Sequence, residues 1–118
     1  MSAPWSNPAF DASIDLGDRP VVVIGGDDIA RRAVAALAAC GSNVRWVASG
    51  ATAGDGIVPV SRGYVRGDMT GAFMAVCSTD DPEVRAAVRD EAQEHGCLLH
   101  VVGDPDASTF RPLEVDTW

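Results

Sequence analysis

The sequence contains no lysine; all nine of its positive charges are arginine. That excludes a Walker lysine, a Schiff-base lysine and a lysine general base, each of which needs an amine side chain. Positive charge is scarce altogether. Seventeen acidic residues oppose the nine arginines and leave a formal net charge of −8. Binding to nucleic acid, which rests on neutralising many phosphates, is therefore not an expected function. Long apolar runs are also missing: nothing approaches the roughly 18 residues that a membrane span requires. The opening residues, Met1 to Pro8, lack both the basic start and the apolar core of a secretory signal. Cysteine is sparse and odd in number. Cys40, Cys77 and Cys97 are widely spaced and match neither a zinc nor a redox template. Each stands beside apolar residues, so three buried, reduced thiols in a cytoplasmic protein are expected.

What is present reads as one domain. A length of 118 residues leaves little room for two cores, and 47% hydrophobic with 22% charged residues is an ordinary globular balance. Residues 1–13 carry prolines and polar side chains and are expected to form a flexible arm, with the domain over 14–118. Pro20–Ile24 is an apolar, β-branched run of the kind found in central parallel strands, and it ends at Gly25-Gly26. Asp27 or Asp28 can cap the next helix, in which Ile29, Ala33, Ala36, Leu37 and Cys40 recur at helical spacing before a stop at Gly41. Val44–Ala48 completes a β-α-β unit.

The following stretch, 49–56, is too rich in Gly, Ala, Ser and Thr for a full crossover helix, and Ile57–Val60 with its proline suits an edge strand. Ala72–Cys77 predicts a buried strand. Asp81 and Pro82 then start a helix whose buried stripe is Val84, Ala87, Val88 and Ala92. Cys97–Val102 predicts a further strand, and Phe110 to Val115 a last short one. This alternation predicts a doubly wound α/β fold with a parallel sheet.

In such a fold ligands bind at the carboxyl ends of the strands. Three loops leave those ends: Gly25 to Asp28, Ser78 to Asp81, and Gly103 to Pro105. The first lies where a dinucleotide fingerprint belongs. Counting from Gly25, however, the second glycine position is Asp27 and the third is Ala30, so residue pattern alone favours a plain strand–turn–helix with an aspartate cap. The second strand ends without an acid for a ribose hydroxyl, although Ser49 and Gly50 could contact adenosine. Asp27, Asp28, Asp80, His100 and Asp104 could in principle gather round a metal; solvated loop carboxylates and a structural histidine are the stronger reading, and no metal is assigned. Convergence of several arginines, Arg31, Arg32, Arg62, Arg66 or Arg111, on one cleft would make a polycarboxylate site.

Taken in order, four stretches resemble the precorrin-2 dehydrogenase family, the N-terminal domain of siroheme synthase. They are Ile14–Gly26, Asp28–Gly41, the run from Tyr64 through Gly67–Phe73 to Ser78–Val84, and His100–Pro105 with Phe110 and Pro112. The resemblance implies a Rossmann-like domain that oxidises precorrin-2 to sirohydrochlorin with NAD. In some members the protein also inserts ferrous iron. By position it implies that Gly25, Gly26, Asp27, Asp28, Ile29, Ser49, Gly50 and Thr79 line the NAD site.

The family's catalytic aspartate falls at Gly103, so Asp104 becomes the candidate catalytic residue. Arg31, Arg32 and Arg111 become candidates for holding substrate carboxylates. The family continues into a helical dimerisation domain beyond the point matching Trp118, so a homodimer, or a partner supplying that domain, is expected. Two other readings stay open: a non-catalytic or repurposed binding protein with a tetrapyrrole or other small-molecule ligand, and a redox-inactive metallochelatase.

Overall fold

The structure, a computed structural model, describes residues 8–113. Its elements are β1 (Pro20–Ile24), α1 (Asp28–Ala39), β2 (Asn43–Val47), β3 (Ile57–Val60), β4 (Met74–Cys77), α2 (Pro82–His95) and β5 (Leu98–Val101). The strands form one sheet in the order β3-β2-β1-β4-β5, and every neighbouring pair is parallel. Strand order reverses at β1: the chain steps outward through β2 and β3, then crosses to β4 and β5. The doubly wound α/β expectation therefore holds.

The period-two alternation of the strands assigns the two faces. Val21, Val23, Val44, Trp46, Met74 and Val76 pack with Ala30, Ala33, Val34 and Leu37 of α1. Val22, Ile24, Val47, Ala75, Cys77, Leu99 and Val101 pack with Val88 and Ala92 of α2. Because β1 and β4 are covered on both sides, they read in the sequence as continuous apolar runs rather than alternating ones.

Residues 48–56 join β2 to β3 without a helix, as the composition suggests, and Ile57–Val60 is indeed the edge strand. The segment from 61 to 73 crosses to β4, also without a helix. Met69, fully buried, pins it from below, and Glu91 of α2 holds its backbone.

Several sequence expectations shift. β2 begins at Asn43 and ends at Val47; β4 is confined to Met74–Cys77 and β5 to Leu98–Val101. The α1 stripe holds at Ala33 and Leu37 and shifts at its other positions. Ala30 and Val34 are buried, whereas Ile29 is half-buried and Cys40, past the helix end, is exposed. Cys77 and Cys97 are buried thiols as expected, and burial pushes each up to about 11.

No strand forms over residues 110–113, and Glu114 and Val115 lie outside the described residues. Side chains satisfy the outer edge of β5 instead. The Leu99 amide donates to Thr109 Oγ1 at 2.8 Å and the Val101 amide to Ser108 Oγ at 2.9 Å. Hydroxyls that take ladder bonds leave no template for a further strand.

Candidate active site at the carboxyl edge of the sheet

The switch point lies between β1 and β4, where the loops after both strands meet. Gly25 is there because nothing larger fits. Its φ is +128°, and a Cβ would stand 2.0 Å from the Ser78 carbonyl oxygen. The crossing is tied by the Ser78 amide donating to the Ile24 carbonyl at 2.8 Å and the Gly25 amide to the Val47 carbonyl at 3.0 Å. Trp46 also contributes, its indole N–H donating to the Gly25 carbonyl at 2.8 Å. A buried tryptophan needs such an acceptor, which makes Trp46 a supporting residue that the sequence pattern did not single out.

Asp27 is the N-cap of α1. Its carboxylate accepts the Ala30 amide at 2.8 Å and the Ser78 hydroxyl at 2.9 and 2.8 Å on its two oxygens. The aspartate-cap reading is thus the observed one, and Ser78 is a partner that the sequence did not reveal.

The arrangement can be tested against a dinucleotide. The first amides of a helix lack intrahelical acceptors and suit phosphate. Ala30 has spent its amide on Asp27, while Asp28 and Ile29 retain theirs at the start of α1. A Cβ on Gly26 would meet its nearest neighbour, Ala48 Cβ, at 3.5 Å, and one on Gly50 would meet nothing within 4 Å. Ser49 is exposed beside Gly50. The loop therefore fits a dinucleotide at its glycine positions and at two helix amides. Asp27 adds one negative charge against the phosphates, drawn aside by Ser78.

The other predicted residues fall in two places. Thr79 joins the site from the β4 side: its Oγ1 accepts the Asp81 amide at 3.2 Å, and its carbonyl accepts Arg85 Nε at 2.8 Å. Asp104 stands beyond β5 in a tight turn, its amide donating to the Val101 carbonyl at 3.0 Å and its Oδ1 accepting the Ala107 amide at 3.3 Å. Arg31 and Arg32 are exposed on the first turns of α1. Arg111 lines a separate cavity of about 570 Å³ with Phe10, Ile14, Asp106, Phe110 and Leu113, which includes neither Arg31 nor Arg32.

The arginine cleft does not form. Arg62 pairs with Asp68 at 2.8 Å and Arg66 pairs with Glu94. The Arg62 hydrogen bonds hold the Asp68 carboxyl below its usual range. Nor do the five candidate metal ligands gather: among the described residues no group of three or more His, Cys, Asp or Glu could hold a metal ion. His100 lies on the α1 face of β5 against Phe110, with ring centroids 5.8 Å apart. Burial lowers its pKa.

Sequence reasoning also missed Arg85 and Glu91. Arg85 follows the Thr79 loop by one helical turn, a spacing that could have flagged it. Glu91 carries no such signal. It is a charged residue on the buried stripe of α2, only 1% exposed, and it accepts the Tyr64 hydroxyl and the Gly67 and Met69 amides, the latter two at 3.1 Å. Burial, and then the adjacent carboxylate, raise the Tyr64 pKa.

Comparison with known proteins places this geometry in context. Residues 12–112 match the family NAD_binding_7, described as "Putative NAD(P)-binding". The siroheme synthase of Azotobacter vinelandii is 37% identical over 112 residues, which are 86% of this chain and 24% of that protein. The siroheme synthase of Ectopseudomonas mendocina is 35% identical over 109 residues, 86% of this chain and 23% of that protein. This chain therefore spans about a quarter of the length of these relatives. Among solved structures, SirC, a precorrin-2 dehydrogenase, superposes with a TM-score of 0.61 at 22% identity, over 69% of this chain and 44% of that one. At that identity the likeness concerns the fold. Among the described residues no helix is long and apolar enough to cross a membrane.

Proposed function

This chain belongs to the NAD_binding_7 family of NAD(P)-binding domains, and from that premise we propose that it acts in siroheme biosynthesis, oxidising precorrin-2 to sirohydrochlorin with NAD as acceptor. The observation that carries the reading is the construction of the switch point, where Gly25 lets the β4 loop pass at backbone contact and α1 opens with its first amides at the strand ends. Similarity to siroheme synthases over most of this chain supports the choice of substrate class.

In this reading Gly25 and Gly26 bring the backbone close to the pyrophosphate, and the Asp28 and Ile29 amides donate to it. Ser49 and Gly50 flank the adenosine, and Thr79 lies on the side of the reacting ring. When bound, NAD would supply the hydride acceptor. The substrate also releases a proton, and we assign its acceptance to Asp104, at the oxygen not engaged by Ala107. Oxidation thus removes two hydrogens from precorrin-2, one to the cofactor and one as a proton. The setting we infer is the cytoplasm, with the chain working as a homodimer or with a partner chain, a point that light scattering checks.

The test is an anaerobic assay of precorrin-2 with NAD, alongside calorimetric titration of NAD and NADP. Reduction of NAD coupled to appearance of sirohydrochlorin is the expected result; absence of both binding and turnover overturns the reading. The Asp27 cap favours a second reading, a repurposed binding domain. Dinucleotide binding without turnover, unchanged by Asp104→Asn, would select it.

A further inference from the structure

Arg85, in the first turn of α2, differs from the paired arginines Arg62 and Arg66. Its Nε donates to the Thr79 carbonyl at 2.8 Å and one terminal nitrogen donates to the Val102 carbonyl at 3.1 Å. A guanidinium has five N–H donors, so these two bonds fix its plane and leave others to spare. Both acceptors are neutral. Arg62 and Arg66 have carboxylate partners, whereas half-buried Arg85 forms no ion pair among the described residues. A cation drawn partly out of water without a counter-charge is costly for a fold to keep. The space beside it is open. A Cβ on Gly103 would meet only the Arg85 terminal nitrogen, 4.0 Å away. Arg85 thus sits where β4 and β5 end, anchored from behind, with its terminal nitrogen bordering a gap that a glycine leaves unfilled.

We propose that Arg85 and Gly103 form a carboxylate-binding site at the β4–β5 end of the sheet, which takes an acid group of the substrate. The glycine provides the room, and the two carbonyl anchors pre-orient the guanidinium for a charge-assisted, two-pronged contact. The proposal rests on the substrate class inferred above and gives that substrate a point of attachment distinct from the dinucleotide loop.

The test uses uroporphyrin III, a polycarboxylated tetrapyrrole, titrated by fluorescence against the full chain, with NAD titrated in parallel. Arg85→Gln is expected to weaken uroporphyrin binding about tenfold and to flatten its salt dependence; the NAD comparison is read in Gly103→Asn, which keeps the Arg85 bond to the Thr79 carbonyl. Arg85→Lys, which keeps the charge but not the fork, falls between. Gly103→Asn tolerates the φ of +80° and fills the gap with Arg85 intact; it is expected to weaken uroporphyrin alone, and it decides the matter if Arg85→Gln does not fold. Unchanged uroporphyrin affinity in the folded variants overturns the site. Weakening of NAD in step with uroporphyrin overturns it in favour of a phosphate contact. A chain that binds NAD but no uroporphyrin sinks this proposal and leaves the dinucleotide reading standing.

Discussion

The two ends of one sheet edge treat charge in opposite ways. At the β1 end the chain supplies its own anion: the Asp27 carboxylate caps α1 and is held by the Ser78 hydroxyl. At the β4–β5 end a cation, Arg85, is held by two carbonyls and forms no ion pair among the described residues. The first end is satisfied before any ligand arrives, and an incoming pyrophosphate must share the helix start with a carboxylate. At the second end the arginine is half-buried and anchored on carbonyls, unlike the exposed Arg31 and Arg32 of α1. In a chain of net charge −8 this contrast teaches that a carboxylate at the glycine loop and a carbonyl-anchored arginine past β4 can share one sheet edge.

The comparison can be sharpened by disturbing the molecule away from the edge. Glu91 holds the 61–73 segment through bonds to Tyr64, Gly67 and Met69, so Glu91→Ala strands buried donors and is expected to cost about 2–4 kcal/mol in a urea melt. NAD affinity of the folded fraction should stay as it was; if it falls, the edge is not independent of that segment. Asp27→Gly strikes the comparison itself. Removing a like charge beside the phosphates should tighten NAD binding about 10- to 100-fold by calorimetry, while the lost Ser78 bond adds about 1 kcal/mol to the few tenths that a glycine cap costs. Unaltered affinity would mean that Asp27 does not oppose the cofactor.

Ser78→Ala frees the Asp27 carboxylate and should destabilise the fold by about 1 kcal/mol. It should also weaken NAD binding slightly, the reverse of Asp27→Gly.

Acid gives the smallest effects, in two windows. His100 is held neutral by burial, its folded pKa below the ordinary 6.5, so the unfolded chain binds the proton first and stability declines as pH falls below about 6.5. Asp68 has a lowered pKa, so its contribution is present above 3.8 and is lost as pH falls through the lower folded value. Thermal melts across pH 3–8 check both, and His100→Gln should remove the upper step.

Much of the fold was legible. Pro20–Ile24 and the Asp81-Pro82 start of α2 declare themselves because full burial and helix capping leave local marks, the β-branched run in one case and the cap–proline pair in the other. Asp27 was recognisable as a cap for the same reason. The tail after β5 was not: its hydroxyls take the place of a strand, and Ser and Thr in an irregular segment carry no period. Glu91 was hidden because helical spacing marks it as buried while its charge argues for solvent; only the donors brought by a distant segment resolve the conflict.

The sequence by itself determined the parallel α/β layout, the glycine at the crossing and the cap at the start of α1, because each follows from backbone geometry within a few residues. Tertiary structure alone decided that Ser78 would hold Asp27 from 51 positions away, that Arg62 and Arg66 would be spent on Asp68 and Glu94, and that Arg85 would be anchored on the Thr79 and Val102 carbonyls. Charge pairing depends on which strands come to lie side by side, and strand order is a property of the folded sheet.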